Sequence, residues 1–414
     1  MRRIAIVGGG QSGLQLALGL QQHGYKVTVV TDRSGEDIAA GRVMSSQCMF
    51  HTALEYEREL GLNYWEAEGP YVEGMSMSIA GPDGSRPVHW SARLERPAQA
   101  IDQRVKYPRW MQEVEDRGGA LIIERCDAAG LERLAKEHEL VVVASGKGDL
   151  KDLFPASPAR TMHGQPMRAL ALTYVKNMTP REEFTAVNFN IVPGVGEYFV
   201  FPALTTTGAC EIMVFEGLPG GPMDCWGDVR TPQAHLAKSR WILDTFLPWE
   251  AARCQDVALT DDNGTLAGRF QPVVREPVAR LPSGARVLGM ADAVCLNDPI
   301  TGQGSNNASK AAHAYLHAIL ERGRESLTDE AWMRATFDRA WTGEGVGAAT
   351  LWTNALLLPP PPHVLQLFGA ANTLGGIASR FVNAFDDPRD FGGWFLDPGG
   401  AERFIAEQQA GAAS

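Results

Sequence analysis

Six residues close to the start combine types and spacing that could do chemistry: Gly8-Gly9-Gly10-Gln11-Ser12-Gly13, a G-x-G-x-x-G pattern. Its chemistry is recognition of a pyrophosphate by backbone alone. Gly8 permits the tight turn, Gly10 lets the main chain approach the phosphates, and Gly13 lets a helix pack closely on a strand. Gln11 and Ser12 then fall in the first turn of that helix, where unpaired N–H groups and the helix dipole favour an anion. The acid that commonly binds the ribose follows the second strand; that place holds Thr31, with Asp32 and Arg33 next. Thr31 and Asp32 both remain candidates for the ribose hydroxyls.

A second constellation lies far downstream. Arg286 to Ala293 reads as an apolar strand ending in an acid, Asp292. The loop Asp298-Pro299-Ile300-Thr301-Gly302-Gln303-Gly304-Ser305-Asn306-Asn307 then opens a helical stretch running to Leu320. Amides at a helix start stabilise negative charge.

These two constellations need a scaffold. Ile4-Ala5-Ile6-Val7 is short and apolar, as a buried parallel strand should be. Leu14 to Leu20 continue as an apolar helix, and Val27-Thr28-Val29-Val30 supplies the second strand. The motif therefore sits inside a complete βαβ unit, which lifts it above a bare glycine pattern.

With 414 residues, the chain fits two intimate domains or one domain with a large insertion. It is 44% hydrophobic and 21% charged, within the range of a globular enzyme. A net charge of −11 argues against nucleic-acid and anionic-membrane partners. Six scattered cysteines, without C-x-x-C pairs or nearby histidines at ligand spacing, point to reduced thiols and no metal site. The first strand begins almost at Met1, and no apolar run nears a bilayer-spanning length, so a cytoplasmic location is expected.

The downstream strand and loop resemble the flavoprotein monooxygenases of the para-hydroxybenzoate hydroxylase type, which carry Gly-Asp-Ala and then P-x-x-G-Q-G-x-N. Here Met290-Ala291 stands before the acid in place of the usual glycine. The resemblance implies FAD, with Asp292 at the ribityl chain and Pro299, Gly302, Gln303, Gly304, Ser305 and Asn306 against the flavin. A third motif of single-component members, a strand ending Asp-Gly, is replaced by Ala144-Ser145 in the stretch Leu140 to Gly148, and no second nicotinamide-type glycine loop occurs.

That pattern resembles the two-component styrene and indole monooxygenases, whose FAD is reduced by a separate NADH-dependent flavin reductase. The resemblance spans nearly the whole chain, including Val29 to Arg33, Gly41-Arg42-Val43, Ala100 to Arg104 and Leu351-Trp352-Thr353-Asn354. It implies that Arg42 lies against the FAD and that Arg104 is a second anchor, with a salt bridge as the alternative for Arg104. Ser45-Ser46-Gln47-Cys48-Met49 is closer to the indole branch (Ser-x-Gln-x-Met) than to the styrene branch (Asn-x-Val-x-His), and Val72, Met75 and Ala98 fit the same branch.

Ser45, Gln47, Gly302 and Gly304 are therefore the candidate catalytic positions. Gln47, Met49, Val72, Met75, Ala98, Phe199 and Phe201, with Phe215, are the candidate pocket wall, against ordinary core packing for the apolar ones. The implied reaction uses reduced FAD and O2 to form a flavin C4a-hydroperoxide that epoxidises an aromatic alkene, indole first and styrene second, with sulfoxidation as a side activity. Two rivals remain: a single-component NAD(P)H-dependent FAD aromatic hydroxylase, and a non-catalytic flavin-binding partner of a reductase. A halogenase is disfavoured because W-x-W-x-I-P is missing.

The expected architecture is α/β: a Rossmann-type FAD domain of the para-hydroxybenzoate hydroxylase type (1–65, 98–155 and 281–325), a β-sheet substrate domain (66–97 and 156–280) and a C-terminal helical segment (326–414). Alternating runs such as Ala186 to Val192 and Glu197 to Phe201 suggest antiparallel strands. Helical spacing runs from Glu330 through Trp352, and the small, polar tail after Gly399 suggests disorder. A homodimer is compatible with the sequence.

Overall fold

The computed structural model describes residues 2–146 and 149–412, so Lys147 and Gly148, the end of the Leu140 to Gly148 stretch, lie outside the described residues. Among the described residues two large sheets share the chain, beside a small antiparallel pair of Val273–Val274 with Cys295–Leu296. The first has six strands in the order Val278–Arg280, Arg286–Gly289, Leu140–Val143, Arg3–Val7, Lys26–Thr31 and Ala120–Ile123. All neighbours are parallel except the Val278–Arg280 and Arg286–Gly289 pair. Ile4, Ile6, Val29, Val142 and Leu288 are fully buried, as expected for strands covered on both faces.

Helices Gln11–Gln22 and Gly304–Arg322 pack side by side over this sheet. Gln15 Nε2 donates to Ser309 O at 3.4 Å, and a Cβ on Gly19 would stand 2.7 Å from Leu316 Cδ2. Residue numbers rise together along the contact, so the two helices are parallel and both start at the same end of the sheet.

The second sheet has nine strands. Its main path runs Ala258–Leu259, Ala169–Lys176, Gly208–Gly217, Gly196–Thr205, Ala186–Val192, Tyr71–Ile79, Val88–Ala100 and Cys48–Met49, with Thr265–Gly268 added beside Ala169–Lys176. Every pairing is antiparallel except Tyr71–Ile79 with Ala186–Val192. One face packs Val72, Met75, Phe199, Phe201, Ile212 and Val214 against the C-terminal helices, while the other packs Tyr198, Val200, Met213 and Phe215 under helix Pro232–Phe246.

Three expectations change. Strand Val88–Ala100 runs past residue 97, and Cys48–Met49 pairs into the second sheet, so the boundary expected at 97/98 falls inside a strand. The helical stretch from Glu330 is two helices, Glu330–Asp338 and Val346–Leu356, separated by a π-type turn at Arg339–Gly343 and by Gly345 at φ 77°. The tail is ordered: Pro398–Ala412 is helical and buries Ala401 and Phe404 in the second core. All six cysteines are unpaired, four of them buried. Among the described residues no helix is long and apolar enough to cross a membrane, and no group of His, Cys, Asp and Glu is placed to hold a metal.

Candidate flavin and substrate site

The first glycine loop is shaped by close contacts. A Cβ on Gly13 would meet Gly8 O at 2.0 Å, and one on Gly8 (φ 131°) would meet Ala144 C and Ser145 N at 2.9 Å. Gly10 differs: nothing lies within 4 Å of its Cβ position, so the space beside it is open. The helix it opens has no side-chain cap and no acidic residue in its first turn, leaving its positive pole uncompensated. Thr31 is buried, with its Oγ1 2.9 Å from the Cβ position of Gly9, whereas Asp32 is exposed and sits 3.8 Å from Arg33 Nε.

The second loop presents a matching feature. Asp298 Oδ1 accepts from Ile300 N–H at 3.1 Å, Gly302 adopts the left-handed φ of 64°, and helix Gly304–Arg322 begins without a side-chain cap or an acidic first turn. Gly302 and Gly304 also have nothing within 4 Å of a Cβ position. Because the two helices run parallel, two positive helix ends point toward one region, fitting a ligand with a pyrophosphate at one end and an anion-forming ring at the other.

Asp292 is exposed, and the segment after Leu140–Val143 presses on it, since a Cβ on Gly146 would come within 2.5 Å of Asp292 Cβ. The preceding Ala291 has φ 49°, a left-handed conformation uncommon outside glycine. A glycine there would adopt this conformation without the Cβ penalty.

Asn306 is buried and joins this loop to the Ser45–Met49 stretch: its Oδ1 accepts from Phe50 N–H at 2.8 Å, and its Nδ2 donates to Cys48 O at 2.9 Å and to Gly302 O at 3.0 Å. Gln303 is fully buried and donates from Nε2 to Phe385 O at 3.0 Å. Its Oε1 receives no donor among the described residues; the same holds for Gln47 Oε1, Asn297 Oδ1, Asn354 Oδ1 and Asn307 Oδ1, and Asn307 Nδ2 finds no acceptor there. Orphaned buried amides around one loop are unfavourable unless a ligand or water satisfies them. The residues present therefore fit a bound flavin.

The pocket-wall candidates divide. Val72, Met75, Ala98, Phe199 and Phe201 share one buried cluster, and Gln47 reaches it by donating from Nε2 to Tyr174 Oη at 3.5 Å. Ser45 is half-buried; its carbonyl accepts from Tyr174 Oη at 2.7 Å, and its Oγ accepts from Gln47 N–H at 3.4 Å. Tyr174, which the sequence did not single out, thus braces the Ser45–Gln47 turn. Its burial raises the phenol well above its ordinary pKa, so it acts as a neutral donor.

Met49 and Phe215 do not join them. Met49 packs with Ala53 and Leu54 on the far side, its Sδ 3.3 Å from Lys106 Nζ. Phe215 follows the strand alternation onto the opposite face, beside Tyr198 and Trp226. Lys106 in turn pairs with Glu57 at 2.7 Å, and Glu57 accepts from Gln11 Nε2 at 2.8 Å, so a buried ion pair underpins the first helix turn.

Of the two expectations for Arg104, cofactor anchor or salt bridge, the fold shows the salt bridge. Its guanidinium is spent on Asp102 at 2.9 Å, both oxygens of Asp261 at 3.0 Å, Thr205 Oγ1 at 3.0 Å and Gly41 O at 3.5 Å. It is a clamp between the two sheets. Arg33 is half-exposed and donates to Met44 Sδ at 2.8 Å. Arg42 is exposed, with no hydrogen bond or ion pair among the described residues, while its neighbours are held by Val43 N–H to Asn263 O at 3.0 Å and Asn263 Nδ2 to Ala40 O at 2.9 Å.

Two glycine loops that open parallel helices on one Rossmann-type sheet, facing a second sheet with an apolar inner face, define a flavoprotein of the para-hydroxybenzoate hydroxylase fold. Solved structures agree: the flavin-dependent brominase Bmp2, as a triple mutant, superposes with a TM-score of 0.65 at 14% identity, covering 99% of this chain and 100% of that one. A single-site mutant of 2-methyl-3-hydroxypyridine-5-carboxylic acid oxygenase gives 0.63 at 14% identity, over 91% and 95% of the chains. A family profile described as "Pyridine nucleotide-disulphide oxidoreductase" matches residues 3–45, and "Styrene monooxygenase A putative substrate binding domain" matches 146–253. The styrene monooxygenase StyA of Pseudomonas sp is 30% identical over 399 residues, 94% of this chain and 93% of its own length, as is that of Pseudomonas fluorescens. The chain belongs to the styrene monooxygenase family and is an FAD-dependent monooxygenase.

Proposed function

We propose that this protein is the oxygenase component of a two-component system that epoxidises an aromatic alkene, indole in preference to styrene, using FAD reduced by a separate NADH-dependent flavin reductase and O2. The observation that carries the indole reading is Gln47: a buried side chain whose Oε1 lacks a donor among the described residues, next to an apolar wall. Indole brings an N–H that can satisfy such an acceptor; styrene brings none. Styrene remains the second reading because the 30% identical relatives are named for it. Ala144-Ser145 in place of an acid supports delivery of reducing equivalents by a partner.

Reduced FAD, when bound, supplies the activated oxygen. The chain's own residues position and protect. Gly10 and the first turn of Gln11–Gln22 would cradle the pyrophosphate, with Gln11, Ser12 and Gly13 at the helix start and Thr31 or Asp32 at the ribose. Asp292 holds the ribityl chain, and the helix start at Gly304, Ser305 and Asn306 stabilises negative charge on the ring. Val72, Met75, Ala98, Phe199 and Phe201 keep water from the reacting face, and Ser45 and Gln47 orient the substrate.

The purified protein is incubated with FAD, NADH and indole, with and without an unrelated flavin reductase, and indigo formation is followed. Blue product only with the reductase is expected. Product with NADH alone overturns the two-component reading; no product while flavin reduction is verified overturns the indole assignment.

A further inference from the structure

Glu216 is a buried carboxyl without a cationic partner of its own among the described residues. It is 0% exposed, on the strand Gly208–Gly217, and neither of its carboxyl oxygens receives a donor among the described residues. Even-numbered neighbours Ile212 and Val214 put it on the inner face, toward the loop that opens helix Gly304–Arg322. There it meets Asp298, 1% exposed, at hydrogen-bonding reach. Asp298 Oδ1 is occupied by Ile300 N–H, and its Oδ2 has no N–H donor.

The surroundings hold too few cations for every acid to ionise. Glu197 lies directly opposite Glu216 in the strand register. It takes both available edges of Arg168, at 2.7 and 2.9 Å, while Arg168 Nη1 is used by Met167 O and Leu357 O. A further ionisable neighbour, His163, is tied through Nε2 to Asn354 O at 3.1 Å. One guanidinium therefore faces three carboxyls, two of them, Glu216 and Asp298, buried. Two unpaired carboxylates in contact would be strongly unfavourable, and a single proton between them removes the conflict.

We propose that Glu216 and Asp298 share one proton and so latch the substrate sheet to the Asp298–Gly304 loop, which makes Glu216 a positioning residue for the flavin face of the site. Glu216 Oε–H donates to Asp298 Oδ2; Asp298 in turn fixes Ile300 and the 3-10 turn that sets Gly302 and Gly304. Burial, then the charges of Asp298 and Glu197, drive the Glu216 carboxyl well above its ordinary range, and burial also raises Asp298. A carboxyl whose folded pKa is raised contributes stability that is complete below its unfolded value and is lost as pH rises toward the folded value. The latch loosens toward alkali, when the proton leaves to solvent and the two carboxylates repel. The positioning role rests on the proposal that this loop contacts flavin; the proton pair does not.

The proton is read directly by infrared difference spectroscopy of wild type against Glu216→Gln and Asp298→Asn, without cofactor. The expected result is a protonated-carboxyl carbonyl band at neutral pH in wild type, shifted down in deuterated water and lost in both variants; its absence from wild type overturns the pair. The thermal midpoint of wild type should fall relative to Glu216→Gln as pH rises from mildly acidic to alkaline, and parallel curves count against the pair. FAD titration by flavin fluorescence tests the positioning role. Glu216→Gln, whose amide still donates to Asp298, should bind within about twofold of wild type, and Glu216→Leu about tenfold more weakly. Equal affinity across all three overturns that role. If wild type itself binds no FAD, the flavin reading fails, and the infrared band still decides the proton pair.

Discussion

Asn306 and Phe50, 256 positions apart in sequence, meet in one hydrogen bond: the Phe50 N–H donates to Asn306 Oδ1 at 2.8 Å. With Nδ2 donating to Cys48 O at 2.9 Å, the Asn306 amide behaves like an extra strand residue along Cys48–Met49. The loop proposed to face the flavin and the Ser45–Met49 stretch are therefore one mechanical unit. Asn306→Ala leaves a buried N–H and a buried carbonyl unpaired and should cost about 3 kcal/mol in urea denaturation. Asn306→Asp keeps the acceptor only and should fall between; equal stability of all three forms would contradict the staple.

Gly10 and Gly13 belong to one motif yet should fail differently. At Gly13 the Cβ position is 2.0 Å from Gly8 O, so Gly13→Ala must displace backbone and should cost about 3 kcal/mol. At Gly10 no protein atom lies within 4 Å, so Gly10→Ala should keep its melting temperature and lose at least about tenfold in FAD affinity. Scanning calorimetry beside fluorescence titration separates the two. A destabilised Gly10→Ala protein would show that the space beside Gly10 is not open.

The Arg104 clamp carries an acid-side prediction. Burial pushes Asp261 up, but the Arg104 hydrogen bonds and charge outweigh it, so the carboxyl titrates below its ordinary value of 3.8. A depressed carboxylate contributes stability that is present above the unfolded pKa and lost as pH falls through the folded one. Arg104→Met, which strands Asp102 and Asp261, should cost about 4 kcal/mol at neutral pH and flatten the acid limb of the stability curve. Arg104→Lys should not rescue it, because an ammonium cannot make the forked contacts. An unchanged acid limb in Arg104→Met would count against the assignment.

Ala291 sits at φ 49° before Asp292. Left-handed backbone costs an alanine roughly 1–2 kcal/mol, part of which glycine gives back through greater unfolded-chain entropy. Ala291→Gly should therefore stabilise by about 0.5 kcal/mol. Ala291→Val should destabilise, since a β-branched side chain tolerates that region least. A reversed order in thermal melts would show that Ala291 is unstrained.

The sequence by itself determined the first sheet's centre, both glycine loops and the helices they open, because these are local: apolar strand, glycine turn and amphipathic helix follow one another within about thirty residues. It also determined the family, through motifs carried on those same loops. It could not determine which pocket candidates share a face. Strict alternation puts Val72 and Met75 on opposite sides of a strand, yet a register shift between Val72 and Gly74 turns both inward, with Ala98 opposite Val72. Phe199 and Phe201 face that wall while Phe215, one strand over, faces away. For Arg104 the sequence left a cofactor anchor and a salt bridge open, and Asp261, 157 residues later, fills its guanidinium in the fold. The Glu216 and Asp298 pair, the Tyr174 brace and the parallel alignment of two helix starts are likewise meetings of distant segments. Each depends on how sheets bulge and pack, and that is decided by the summed contacts of the whole chain.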